Sequence, residues 1–203
     1  MALRVHELHA AAVHAPLVLL PASAAVDLGA ALTGNARTAA LGRRLWWWAV
    51  GGAAVAGIAG LAASQEVRAE EPATADMLWL HGIGNFSLLL GGLGLALWRT
   101  FRRPSVAGAS LGLGAAALGG YTAYLGGELV YSRGVGVRPD GVGASPYLLS
   151  RAAPGAFMRD AIRGLGWLVT RTARAILGRE PVDRGAFGVG EDTSARVLLA
   201  RNS

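Results

Sequence analysis

The stretch His9-Ala-Ala-Ala-Val-His14-Ala-Pro16 decides how the rest of the chain is read. It opens an apolar run that continues to Leu32, and two readings compete for it. As a secretory signal, the run would follow Arg4 and end at a cleavage site in Ala22-Ser-Ala24. Against this, Glu7, His6, His9 and His14 dilute the basic start, and the apolar residues run past Ala24, broken only by Asp27. The stretch therefore reads as the start of a spanning helix over Ala10–Leu32. Three more segments, Leu45–Ala63, Met77–Trp98 and Val106–Val130, also have about the 20 residues an α-helix needs to cross roughly 30 Å of hydrocarbon.

Composition agrees. With 53% hydrophobic and 16% charged residues and a mean hydropathy of +0.40, the chain is too apolar for an ordinary soluble domain. The expected fold is all-α: a four-transmembrane-helix bundle over residues 1–137, then an extramembrane tail over 138–203. The tail holds one amphipathic segment near 154–178, with Phe157, Ile162, Leu165, Val169, Ala173 and Ile176 at helical spacing and Arg159, Arg163, Arg171 and Arg174 mostly elsewhere on the wheel. Such a helix belongs in the headgroup layer or against a partner subunit. From Arg179 onward the Gly-rich, mixed-charge end reads as disordered, or ordered only by a partner.

There is no cysteine, which excludes disulfides, thiolate metal sites, iron–sulfur clusters and covalently attached haem in this chain. Any redox group must be held by histidine, methionine or carboxylate. The net charge of +6 comes from arginine alone and suits anionic lipid headgroups. Nucleic acid is a poor partner, because the arginines flank apolar spans instead of lining a face. No nucleophile–base pair, phosphate loop or nucleotide fingerprint points to a self-contained enzyme.

The connections orient the bundle. Arg37, Arg43 and Arg44 crowd the first link and Arg99, Arg102 and Arg103 the third, whereas the second, Gln65–Asp76, has one arginine against four acids. By the positive-inside rule both basic links are cytoplasmic and both termini extracytoplasmic. Trp46, Trp47, Trp48 and Trp98 then fall at the cytoplasmic ends and Trp79 and Tyr131 near the outer ends, as interfacial belts require.

This topology brings His9, His14 and His81 to one depth on the extracytoplasmic side and delivers Glu128, Tyr124 and Tyr131 to nearly the same level. Ionisable groups inside a membrane mark sites. Met77, His81 and Asn85 recur every four residues and share a face, so Asn85 or Met77 can assist a metal on His81. His9 and His14 project about 140° apart on an ideal helix, which sends one to the bundle and the other to the surface unless the helix breaks. Each residue also has a bland alternative. His6 is a solvated terminal residue, His9 an interfacial one, and Glu128 a partner for a tail arginine. Asp27, about 20 Å further along, pairs with a cytoplasmic arginine. The glycines of the spans serve close helix packing, and Gly82 and Gly84 leave room where a flat ring could lie.

The chain resembles a bacterial family of membrane domains catalogued as domain of unknown function 2231. The marks are His9-x-x-x-x-His14-x-Pro16, His81-x-x-x-Asn85, and Gly126-Gly-Glu-Leu-Val-Tyr131 followed by Gly134-Val-Gly-Val137, together spanning about Val5–Val137. Ala10 and Ala15 depart from the proline and phenylalanine usual in the family. The resemblance implies a four-helix unit of the bacterial inner membrane. Relatives fused to Rieske or cytochrome c domains suggest electron transfer, and nothing in the resemblance covers the tail.

From the shared depth of the histidines and the missing cysteines, the leading expectation is a cytochrome b-like subunit or anchor of a redox complex. Haem b would sit between His14 and His81, with Asn85 as an auxiliary contact to His81, with His9, Glu128 and Tyr131 as alternative ligands or as propionate and quinone contacts, and with Arg133 offsetting propionate charge. Its partner would be a Rieske protein, a cytochrome c or a soluble oxidoreductase. The alternatives are a cofactor-free structural anchor docking a soluble partner, and a copper or zinc site built from His9, His14, His81 and Met77.

Overall fold

In a computed structural model the chain is described over residues 7–67, 69–137 and 153–188. The elements are α1 (Glu7–Ala12), α2 (His14–Thr33), α3 (Ala36–Glu66), α4 (Pro72–Phe101), α5 (Val106–Gly127), one π turn (Glu128–Ser132), α6 (Ala153–Ile176) and a 3-10 turn (Arg184–Phe187). Four rods, α1 with α2, α3, α4, and α5 with its π turn, are long and apolar enough to cross a membrane. They coincide with the four expected spans.

Local chemistry sets the boundaries. Pro16 cannot donate to the carbonyl of Ala12 and crowds it, so the first span breaks at Val13, between α1 and α2. Gly34, in the left-handed region at φ 68°, ends α2, and the Asn35 side chain accepts from the backbone N–H groups of Arg37 and Thr38 to start α3. Pro72 occupies the first turn of α4, where its missing N–H is harmless, and Ser105 caps α5 through Gly108 N.

Short links make successive helices antiparallel neighbours. α2 packs on α3 and α5, and α4 also packs on both, which closes the ring of four. Small residues let the rods approach: Leu20, Ala24, Trp46, Ala49 and Ala96 form one core cluster, and a Cβ on Gly112 would lie 2.9 Å from both Ala24 and Trp46. Large apolar side chains such as Val18, Leu32, Val55, Leu90 and Leu111 point outward, as a bundle dissolved in lipid requires.

At the end carrying Arg99, Asp27 accepts from Arg99 Nε at 2.6 Å and Nη2 at 3.1 Å and from Trp46 Nε1 at 2.9 Å. Arg99 also donates to the carbonyls of Ala39 and Arg102. The expected pairing of Asp27 with an arginine therefore forms, and the partner is Arg99 of α4. Trp46 departs from the expected interfacial belt: it is buried, because its N–H serves Asp27. Trp79 departs likewise, being covered by α6 and donating to Thr172.

The tail is folded onto the opposite end of the bundle. α6 lies across α3 and α4. A Cβ on Gly164 would collide with the carbonyl of Leu61, so glycine sets this approach. Arg171 bonds Asp76 at 2.6 Å, stacks 4.9 Å over Trp79 and donates to the carbonyl of Glu180. Asp183 N donates to Asp76 at 2.8 Å, and Tyr121 and Tyr124 donate to the carbonyls of Phe187 and Gly188. Residues 179–188, expected to need a partner for order, are thus held by the bundle itself. Residues 189–203, and His6 with the other N-terminal residues, lie outside the described part.

Candidate functional site

The roughly 140° between His9 and His14 decides which histidine enters the bundle. The turn at Val13 stays right-handed helical and keeps the bonds from Val13 N to the His9 carbonyl and from Leu17 N to the Val13 carbonyl, so that angle is carried through it. On α1, His9 turns toward α3 and its Nδ1 lies 2.9 Å from the carbonyl of Ala56. A carbonyl can only accept, so Nδ1 carries the proton, which in a neutral ring leaves the lone pair on Nε2. On α4, His81 Nδ1 lies 2.8 Å from the carbonyl of Thr122 on α5, which sets the same tautomer. The two rings meet edge to face, with centroids 5.9 Å apart and planes at 88°.

Glycine makes both contacts possible. A Cβ on Gly60 would come within 2.9 Å of His9 Nδ1, and one on Gly126 within 2.9 Å of His81 Cε1. Asn85, one turn along from His81, donates to His81 Nε2 at 3.2 Å and to the His81 carbonyl at 2.8 Å. Its Oδ1 accepts from Thr122 at 3.2 Å. The result is a neutral network of His81, Asn85 and Thr122 across α4 and α5, with His9 against it from the first span.

His14, expected to pair with His81, is exposed; its Nδ1 donates to the carbonyl of Ala11 at 3.3 Å. Pro16 loosens the helix there, and the imidazole serves a carbonyl at the break. The pair that forms is His9 with His81, and the wide projection angle between His9 and His14 does put one inside and the other out.

The other candidates are dispersed. Met77 is fully buried but packs in a separate cluster with Leu125, Leu129, Val135 and Ala186. Tyr131 is 90% exposed. Glu128 begins the π turn, and its backbone carbonyl accepts from Arg133 N. Arg133 joins Glu71, Thr74 and the Gly185 carbonyl, so its charge holds the tail to the start of α4. The block Gly126–Val137 is therefore mainly a helix exit: the π turn widens it, and Gly134 and Gly136, at φ 70° and 78°, turn the chain. Gly82 faces Leu168 of α6 and Gly84 faces Thr122, so the room expected beside His81 is filled by side chains.

These observations test the fit of a cofactor. Two neutral imidazoles bound through Nε2 to one metal at about 2 Å place their centroids about 6 Å apart, close to the spacing here. His81 Nε2, however, is engaged by Asn85, and among the described residues no group of three or more His, Cys, Asp or Glu is gathered as a metal cage requires. A porphyrin also needs a flat slot. The rings instead abut glycines and carbonyls of the neighbouring helices. An open groove of about 580 Å³ between the first span and α3, and a recess of about 100 Å³ beside Pro16, have no histidine in their walls. A bis-histidine haem does not fit this arrangement.

Thr122, Gly60, Gly126 and the Ala56 carbonyl were invisible as site members in the sequence. They act through backbone position or the lack of a side chain, which no residue-type motif announces.

Fold and site together define a multi-pass membrane protein: a four-helix bundle with a histidine network toward one end and a tail helix packed against α3 and α4 beside it. The chain belongs to the family described as "Predicted membrane protein (DUF2231)", which matches residues 5–139. No curated protein and no solved structure matches it.

Proposed function

We propose that the protein is a membrane anchor, a helix platform that holds its own tail and, through the exposed surface at the histidine end, a soluble partner. One observation carries this reading: the N–H groups of His9 and His81 and the polar groups of Asn85 and Thr122 are satisfied inside the chain, as helix-tying groups are. Glu70, Glu71 and Tyr131 are exposed at the same end and form the contact surface for the partner. A redox subunit such as a Rieske protein, a cytochrome c or a soluble oxidoreductase is the partner class the family resemblance suggests.

A second reading, electron transfer through a metal ion at His9 and His81, is supported by their spacing and by the two Nδ1–H bonds to carbonyls. Bonds of this kind fix the tautomer of metal-binding histidines. It requires Asn85 to release His81 Nε2 and the helices to separate around the group. Reduced-minus-oxidised spectra and elemental analysis of the purified full chain, with H9A and H81A beside it, decide between the readings. The anchor reading expects no haem bands, no stoichiometric metal and a loss of stability in both variants. Haem bands or bound metal that disappear in H9A and H81A would overturn it.

A further inference from the structure

α6 has three faces where a helix packed on a soluble core would have two. On a wheel of 3.6 residues per turn they are centred about 120° apart. The first, with Asp160, Ala161, Gly164, Leu168 and Arg171, is buried against α3 and α4. The second, with Met158, Ile162, Leu165, Val169 and Ile176, is apolar yet 41–80% exposed. The third carries Arg159, Arg163 and Arg174, whose side chains are 56%, 65% and 61% exposed.

We propose that α6 lies in the headgroup layer of the leaflet at the histidine end, with its apolar stripe among acyl chains and its arginine stripe on the phosphates of anionic lipids. Two observations place lipid on the apolar stripe. The helix is pinned at Leu61, five residues before the end of α3, and at Gly82, ten residues into α4, so it sits beside apolar spans and not above them. In addition, apart from Leu168 the face it turns to the protein is small or polar, which leaves Met158, Ile162, Leu165, Val169 and Ile176 directed away from the core. The arginine stripe fits an anionic surface because α6 carries Arg159, Arg163, Arg171 and Arg174 against one acid. Arg171 is neutralised by Asp76 in the bundle, Asp160 is shared by Arg159 and Arg163, and Glu180 lies 3.4 Å from Arg171 and 3.9 Å from Arg174, so four arginines face three acids and a net positive charge remains at the surface.

The chain has no cysteine, so single labelling sites can be introduced cleanly. Spin labels at I162C, V169C, R163C and T170C in the full chain, reconstituted in phosphatidylcholine vesicles with and without phosphatidylglycerol, report contact with lipid-soluble oxygen and with a water-soluble nickel chelate. Labels at 162 and 169 are expected to favour oxygen several-fold, and labels at 163 and 170 to favour nickel. Phosphatidylglycerol should draw the 162 and 169 labels deeper, and R159Q/R174Q should remove that response. The proposal is overturned if the 162 and 169 labels favour nickel, which places the stripe in water. It is equally overturned if they are shielded from both reagents, which places a second copy or another protein on it. A lipid response unchanged in R159Q/R174Q would refute the part assigned to the arginines. The labelled positions are exposed, and labelling both 162 and 169 preserves the test if one variant misfolds.

Discussion

The two ends of the bundle solve the problem of a buried polar group in different ways. At one end Asp27 and Arg99, both nearly inaccessible, form an ion pair surrounded by Trp46 and the carbonyls of Ala39 and Arg102. At the other, His9 and His81 are held as neutral rings by single carbonyls and by Asn85. A charged pair must be saturated on the spot because each ion left alone in low dielectric is strongly unfavourable. A neutral imidazole asks only for a nearby carbonyl, and it gets one where glycine lets two helices touch.

The largest expected effect tests the charged end. Arg99→Leu leaves Asp27 buried and unpaired and should destabilise the bundle by about 3–5 kcal/mol, measured by unfolding in detergent. The double variant R99L/D27L should recover most of that loss. If R99L alone is harmless, the contrast between the ends fails.

Next come the glycines of the histidine end. Gly126→Ala drives a methyl to 2.9 Å from His81 and should lower stability by about 1–3 kcal/mol. Gly120→Ala, with open space beside it, should be nearly neutral in the same melting experiment.

A smaller difference separates the histidines. His81→Ala removes bonds across α4 and α5 and should lower stability by about 1–2 kcal/mol, whereas His14→Ala, at an exposed position, should change it by less than about 0.5 kcal/mol. Equal losses in the two variants would contradict the placement of His9, and not His14, against His81.

The smallest effect is a pH dependence in the tail. Hydrogen bonds from Arg159 hold the Asp160 carboxyl below its ordinary range. Its contribution is therefore present above the usual carboxylate pKa of about 4 and is lost as pH falls through the lowered folded value. Hydrogen exchange in residues 153–176 should accelerate on acidification, and Asp160→Asn should flatten that response.

Much of the architecture was legible in residue order. Four apolar runs of spanning length marked the helices and the arginine-rich links their connections, since both follow from transfer energetics, whereas the caps at Asn35 and Pro72 carry α3 and α4 beyond those runs. The tail helix was legible from its period, and the pairing of Asp27 with an arginine followed from depth alone. The direction of single side chains was less so. His14 looked like the partner of His81, yet the roughly 140° between the two positions, carried through a turn at Val13 that keeps its helical bonds, gives the interior place to His9. Arg133 and Tyr131 looked like site members because they share a level with the histidines, but depth says nothing of azimuth.

The sequence by itself determined that this chain is a cysteine-free, four-span membrane protein with histidines in its first and third spans and an arginine-rich amphipathic tail, because hydrophobic run length, charge placement and helical period are properties of the chain alone. Only the tertiary structure decided that His9 meets His81, that Asn85 and Thr122 complete their bonding, and that α6 lies across the bundle. These depend on helix rotation and on the close approach that Gly60, Gly126 and Gly164 permit, which are relations between distant segments.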